Sequence, residues 1–157
     1  MQNLLVSLWL TVMATLAPSA PRDRLEVIAR TVVTATNDPQ EQALLLTISF
    51  YETTFGRRGI PFGISSVNRT GHTLLDDAQS SLRILRRSRV RCNVGYAPLL
   101  GHYHHGNGCR ADEYSLRESD TVRRMLSLYN RQAIASGAPV PRVPLIVLAA
   151  DTRRHRP

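Results

Sequence analysis

The chain has 157 residues, a hydrophobic fraction of 43% and a formal net charge of +8. That length suits one domain with a real core and excludes two comfortable ones, and the apolar content is that of an ordinary globular protein. All 20 basic residues are Arg; the charge predicts attraction to polyanions, whether nucleic acid, an anionic cell wall or an acidic membrane surface, without ranking them.

Residues 4–16 (LLVSLWLTVMATL) form an apolar run interrupted only by Ser and Thr. It is too short for a comfortable transmembrane helix and has the length of a signal-peptide core. Ala17-Pro18-Ser19 supplies small residues where a signal peptidase reads, so residues 1–19 are expected to be a signal peptide or apolar leader, with a mature start at Ala20. No positive side chain precedes the run, and the competing reading is a first helix packed on the domain.

Residues 22–36 repeat apolar side chains at Leu25, Ile28, Val32 and Val33, a helical period. Asn37-Asp38-Pro39 then stops and restarts the chain: Asp38 suits an N-cap, Pro39 the first helical position, and Glu41 completes a capping-box pattern. The helix that follows, residues 41–55 (EQALLLTISFYETTF), places Leu44, Leu45, Ile48, Glu52 and Phe55 on one side. Glu52 is therefore expected to point into a core or a hydrocarbon-lined cleft. A carboxyl group buried without a partner tends to keep its proton, which is what an acid catalyst of glycosidic bond cleavage needs. The alternatives are an Arg partner, or a helix rotated enough to expose the side chain.

Residues 56–72 are rich in Gly, Pro, Ser and Asn and read as loop with a short hairpin. Residues 74–87 resume a helical period through Ala78, Leu82 and Leu85, with Arg83, Arg86 and Arg87 beside the stripe and Arg89 and Arg91 beyond it; a solvated face explains them. Asp76 and Asp77 open that helix, where capping and the helix dipole account for them better than catalysis does. Residues 96–103 are expected to be a short helix starting near Pro98, and the Gly-containing turn at 104–108 brings Cys109 back toward Cys92. A disulfide between these two would stabilise the fold by about 3 kcal/mol and fits an exported protein; the other reading is two buried thiols. Ser119-Asp120 is expected to cap a helix over 121–135 with Val122, Met125, Leu126 and Tyr129 inward. Residues 136–157 form a C-terminal extension in which 145–148 could be an edge strand and the end frays. The class is mainly α.

His102, His104 and His105 raise the question of a metal. Adjacent His104 and His105 do not easily reach one ion from one regular element, and no well-spaced ligand joins them, so histidines beside a cleft that bind sugar hydroxyls are favoured over zinc. No Gly-x-Ser-x-Gly elbow or phosphate-binding Gly loop is present. No cofactor is expected.

Four features stand in order: Glu52 at the end of an apolar helix, the loop Gly63-Ile64-Ser65-Ser66, the helix carrying LRILRRSR, and Leu99-Leu100-Gly101-His102-Tyr103-His104-His105-Gly106. Over roughly residues 38–109, less than half of the chain, this order resembles the lysozyme-like superfamily, and within it soluble lytic transglycosylase and goose-type lysozyme domains. That family has a helix ending in Glu-Ser, a Ser-x-Gly-x-x-Gln loop and a helix ending in Tyr-Asn-x-Gly. Here Thr53 follows Glu52, the loop has no Gln, and His104 follows Tyr103. The resemblance implies a mainly α, lysozyme-like helical domain over residues 20–135 with a small loop or hairpin region. It implies a peptidoglycan-cleaving enzyme acting on the β-1,4 bond between N-acetylmuramic acid and N-acetylglucosamine. Glu52 would be acid and then base, with Ser65, Ser66, Tyr103 and His104 binding substrate or orienting the acid.

The implied protein is a monomer in the periplasm or secreted, a phage lysis protein included. Its partner is the glycan strand, with no specific nucleic acid and no stable membrane span after processing. Two other classes compete with this reading: a wall-glycan binder that no longer catalyses, and an Arg-rich nucleic-acid binder in the cytosol.

Overall fold

The computed structural model describes residues 1–56, 59–64, 68, 71–106 and 108–138. The expectations for Ser65 and Ser66, for a strand at 145–148 and for the extension beyond residue 138 lie outside the described residues. The described chain is mainly α: α1 (Gln2–Leu16), α2 (Arg22–Ala35), α3 (Pro39–Thr53), α4 (Leu74–Arg91), α5 (Tyr96–His105) and α6 (Glu113–Ala135). None of these helices is long and apolar enough to cross a membrane, and no strand forms among the described residues, so the part of the expected hairpin that is described is loop.

The apolar run near the N-terminus is α1, and it packs against α2 and α6. Its Trp9 is fully buried, stacks on Tyr129 of α6 at a ring distance of 4.5 Å and donates to the Gln42 side chain at 2.6 Å. The Gln42 amide in turn donates to the Thr36 carbonyl. A polar residue deep in the core is thus satisfied on both ends, as burial requires.

Helix α3 is the centre of the molecule, in contact with α2, α4 and α6. Asp38 caps it by accepting from the Gln40 amide, and Pro39 takes the first position. The expected capping box with Glu41 does not form. The Glu41 side chain, 10% exposed, is held instead by the Arg86 guanidinium through two bonds of 2.8 Å and by the Thr36 hydroxyl at 2.6 Å. A bidentate guanidinium outcompetes a backbone amide for the carboxylate. The Arg86 bond, with help from Thr36, holds Glu41 below the usual carboxylate range although burial opposes it. Arg89 lies 3.6 Å from Asp38. Part of the basic group on α4 therefore serves to fasten α4 to the start of α3.

Thr73 and Asp76 form a capping box that starts α4, and Ala78, Leu82 and Leu85 are buried. Cys92 at its end is bonded to Cys109, with Cα atoms 5.4 Å apart. Helix α5 begins at Tyr96, with Pro98 as its third residue and not its start. The largest correction concerns α6. It begins at Glu113, eight residues before the expected start, because Asp112 and Ser115 form a capping box of their own. Ser119 is a buried residue in mid-helix, and Asp120 is not a cap. The inward positions Val122, Met125, Leu126 and Tyr129 are buried as the period predicts.

Candidate active site

Residues 40–49 of α3 are buried all the way round. An apolar stripe read from such a helix does not tell which side meets the core, and the expectation for Glu52 fails for that reason. Glu52 lies in the last turn, where α3 leaves the core, and its side chain is 34% exposed. Its neighbours are polar, and no Arg pairs with it among the described residues; the exposed alternative is the one realised. Beyond it Thr54 and Phe55 both adopt left-handed backbone, φ 50° and 54°. The Phe55 amide reaches back to the Ser49 carbonyl, and the Phe55 ring returns to the core. Two consecutive non-glycine residues in that region store strain on the order of 1–3 kcal/mol each, held by the buried ring.

The turn folds the loop back across the end of α3. The Thr53 hydroxyl donates toward the Ser49 and Pro61 carbonyls and accepts from the Gly56 amide at 2.7 Å. Thr53 thereby ties the loop to the residue next to Glu52. Gly63, with φ +59°, then lies directly over the Glu52 side chain: a Cβ there would meet the Glu52 Cγ at 2.7 Å. Phe62 and Ile64 on either side are buried and anchor the crossing.

Three helix ends converge on Glu52. Its Oε1 accepts from the Tyr114 hydroxyl at 3.2 Å and lies 3.7 Å from Nδ1 of His104. The other ring nitrogen of His104, Nε2, is 2.7 Å from Oε2 of Glu118, whose side chain is fully buried. The His104 ring stands edge-on to Tyr114, and Tyr114 to Tyr51. Tyr51 is fixed by bonds from its hydroxyl to the Arg117 carbonyl and the Thr121 hydroxyl. Tyr114 and Glu118 are four residues apart and share one face of α6; His104 stands in the last turn of α5, where the helix dipole favours a cation.

These contacts order the protons. Burial by itself would lower the pKa of His104, but the hydrogen bond and charge of Glu118, joined by the charge of Glu52, raise it above the usual histidine value. Burial raises Glu118, and the bond from His104 offsets only part of that. Burial and the two carboxylates also push the Tyr114 hydroxyl up, so it remains a donor at neutral pH.

Tyr103 and the neighbouring histidines have other duties. The Tyr103 hydroxyl donates to Ser81, which donates to the Phe62 carbonyl, both at 3.3 Å. Tyr103 thus braces α5 against α4 and the loop, and burial pushes its hydroxyl up to about 12. His102 is buried against the Ser88 hydroxyl, and His105 pairs with Asp112 at 2.8 Å. No group of three His, Cys, Asp or Glu side chains poised for a metal forms among the described residues. Asp76 is spent in its capping box.

Sequence reasoning does not bring Tyr114 and Glu118 to the site, because the Ser119-Asp120 pair starts the helix after both of them. The Asp112-x-x-Ser115 pattern was the available signal: it starts the helix early enough to put both side chains on one face.

Compared with protein families, with curated proteins and with solved structures, the chain matches none. A part-exposed carboxylate accepts from a tyrosine hydroxyl and faces a histidine, with a glycine crossing over its side chain. Such a group can exchange a proton with a bound substrate.

Proposed function

We propose that the protein cleaves peptidoglycan glycan strands as a muramidase of lytic transglycosylase type, outside the cytoplasm, with Glu52 as acid and then base. The observation that carries this reading is the position of Glu52: solvent-reachable in the last turn of a buried helix, under Gly63, and oriented by Tyr114 and His104. In its protonated form Glu52 gives its proton to the bridging oxygen as the bond to the N-acetylmuramic acid C1 breaks. The carboxylate left behind takes the proton of that sugar's C6 hydroxyl while the C6 oxygen bonds to C1. The product is a 1,6-anhydro end, and Glu52 regains the proton it gave. The other described carboxyl group of the cluster, Glu118, is sealed behind His104, which supports a one-acid mechanism over the two-acid hydrolase. The disulfide fits an oxidising compartment, and the Arg excess would hold the protein on an anionic wall.

The test is mass spectrometry of purified peptidoglycan incubated with the protein. Anhydro-ended muropeptides are expected, and Glu52→Gln is expected to release none while melting at the parent temperature. Reducing ends would reassign the base step to water. Binding without products would identify a non-catalytic glycan binder. Turnover by Glu52→Gln equal to the parent's would remove Glu52 as the acid.

A further inference from the structure

Glu118 is an acidic residue deep in a helix–helix interface, and nothing in the cleavage chemistry requires it to be there. It is fully buried, and its Oε1 has no hydrogen-bond partner, while its Oε2 takes the His104 ring at 2.7 Å. A buried carboxylate with one oxygen unpaired costs stability, and a hydrophobic or amide side chain would be cheaper. We infer that Glu118 is a positioning residue that holds a proton on His104, so that a fixed positive charge faces Glu52 through Nδ1. The inference rests on the reading of Glu52 as the reacting carboxyl and assigns the regulation of that same site.

The geometry sets the direction. With Nε2–H given to Glu118, a ring flip would break that bond, and Nδ1 faces Glu52 at 3.7 Å. When Glu52 releases its proton to the glycan oxygen, a carboxylate appears beside the imidazolium, which stabilises it without giving up its own proton. When Glu52 recovers a proton from the C6 hydroxyl, the imidazolium is unchanged. His104 therefore neither gains nor loses a proton over the cycle. The charge it turns toward Glu52 is therefore the same before and after the bond breaks.

The charged or titratable groups around the ring are few. Glu52 faces it from α3, and Tyr114 and Glu118 face it from α6. Asp112 acts from the start of α6, and Tyr103 and His105 adjoin it on α5. Residues 59–64, which cross above Glu52, carry no titratable side chain. Glu118 is the one carboxyl group bonded to the ring among the described residues.

The test is a pH titration of the His104 ring by NMR in the full chain, beside the pH–rate profile of muropeptide release. Glu118→Gln keeps an oxygen for Nε2–H and removes only the charge. The His104 midpoint is expected to fall by about one pH unit or more, and kcat at neutral pH to fall with it, KM staying constant. An unchanged midpoint in folded Glu118→Gln overturns the inference. Should that variant not fold, Glu52→Gln reads the charge from the solvent side: a lowered His104 midpoint supports the coupling, and an unchanged one overturns it. The NMR midpoints need no substrate, so absence of wall cleavage by the parent defeats the proposed function alone.

Discussion

Gly63 crosses Glu52 so closely that a single added methyl would sit 2.7 Å from the Glu52 Cγ. The contact is side chain against backbone, at a residue whose φ of +59° also favours glycine. Gly63→Ala should therefore displace the Glu52 side chain and destabilise the loop by roughly 1 kcal/mol or more. The expected result is loss of most muropeptide release with only a modest drop in melting temperature. Full activity in Gly63→Ala would mean that the loop shifts freely and does not set the carboxyl's position.

The ion pair between Glu41 and Arg86 gives a prediction in pH. The folded pKa of Glu41 lies below its unfolded value. Its contribution is therefore complete above the unfolded value of about 4.5 and is lost as pH falls through the folded value. Arg86→Met leaves Glu41 buried with one fewer charged partner and should cost roughly 1.5–3 kcal/mol at neutral pH. The difference in melting temperature between parent and variant should shrink as pH is lowered below about 4.5. A gap that stays constant with pH would show that Arg86 stabilises by packing alone.

Cys92 and Cys109 close a loop of sequence separation 17 that contains α5 and runs into the cap of α6. The loop therefore bears His104 and leads to Tyr114. Reduction, or Cys92→Ser with Cys109→Ser, should remove about 3 kcal/mol and lower the melting temperature by roughly 6–12 °C. Equal melting with and without reductant would count against the bond in solution.

Trp9 links α1 to the core through Tyr129 and Gln42. Trp9→Ala should cost roughly 3–5 kcal/mol, with the Gln42 carbonyl left unpaired. A chain starting at Ala20 would bare the same surfaces and should melt far below the full chain in circular dichroism. Equal melting of the two would show that the domain stands without α1.

What could be read from residue order follows a physical pattern. The mainly α class, the start of α3 at Asp38-Pro39, the stripe of α4 and the inward face of the second half of α6 depend on neighbours within one or two turns. So does the helix-opening role of Asp76. Capping and period are local, so they are written in the sequence. The early start of α6 is written there too, in Asp112 and Ser115, but Ser119-Asp120 offers a second cap-like pair nearer the apolar stripe.

The site itself depends on distance along the chain. Tyr114 meets Glu52 across 62 residues and Glu118 meets His104 across 14, and each pairing depends on how α3, α5 and α6 are rotated against one another. Residue order alone specifies a helical chain with an acid at the end of a largely apolar helix and two cysteines close enough to bond. Tertiary packing is what turns this acid toward polar groups and solvent, buries the Glu118 carboxyl behind His104, and gives Glu41 to Arg86. A helix buried on every side has no hydrophobic face to orient it, so the environment of its last turn is set by what packs there and not by its own period.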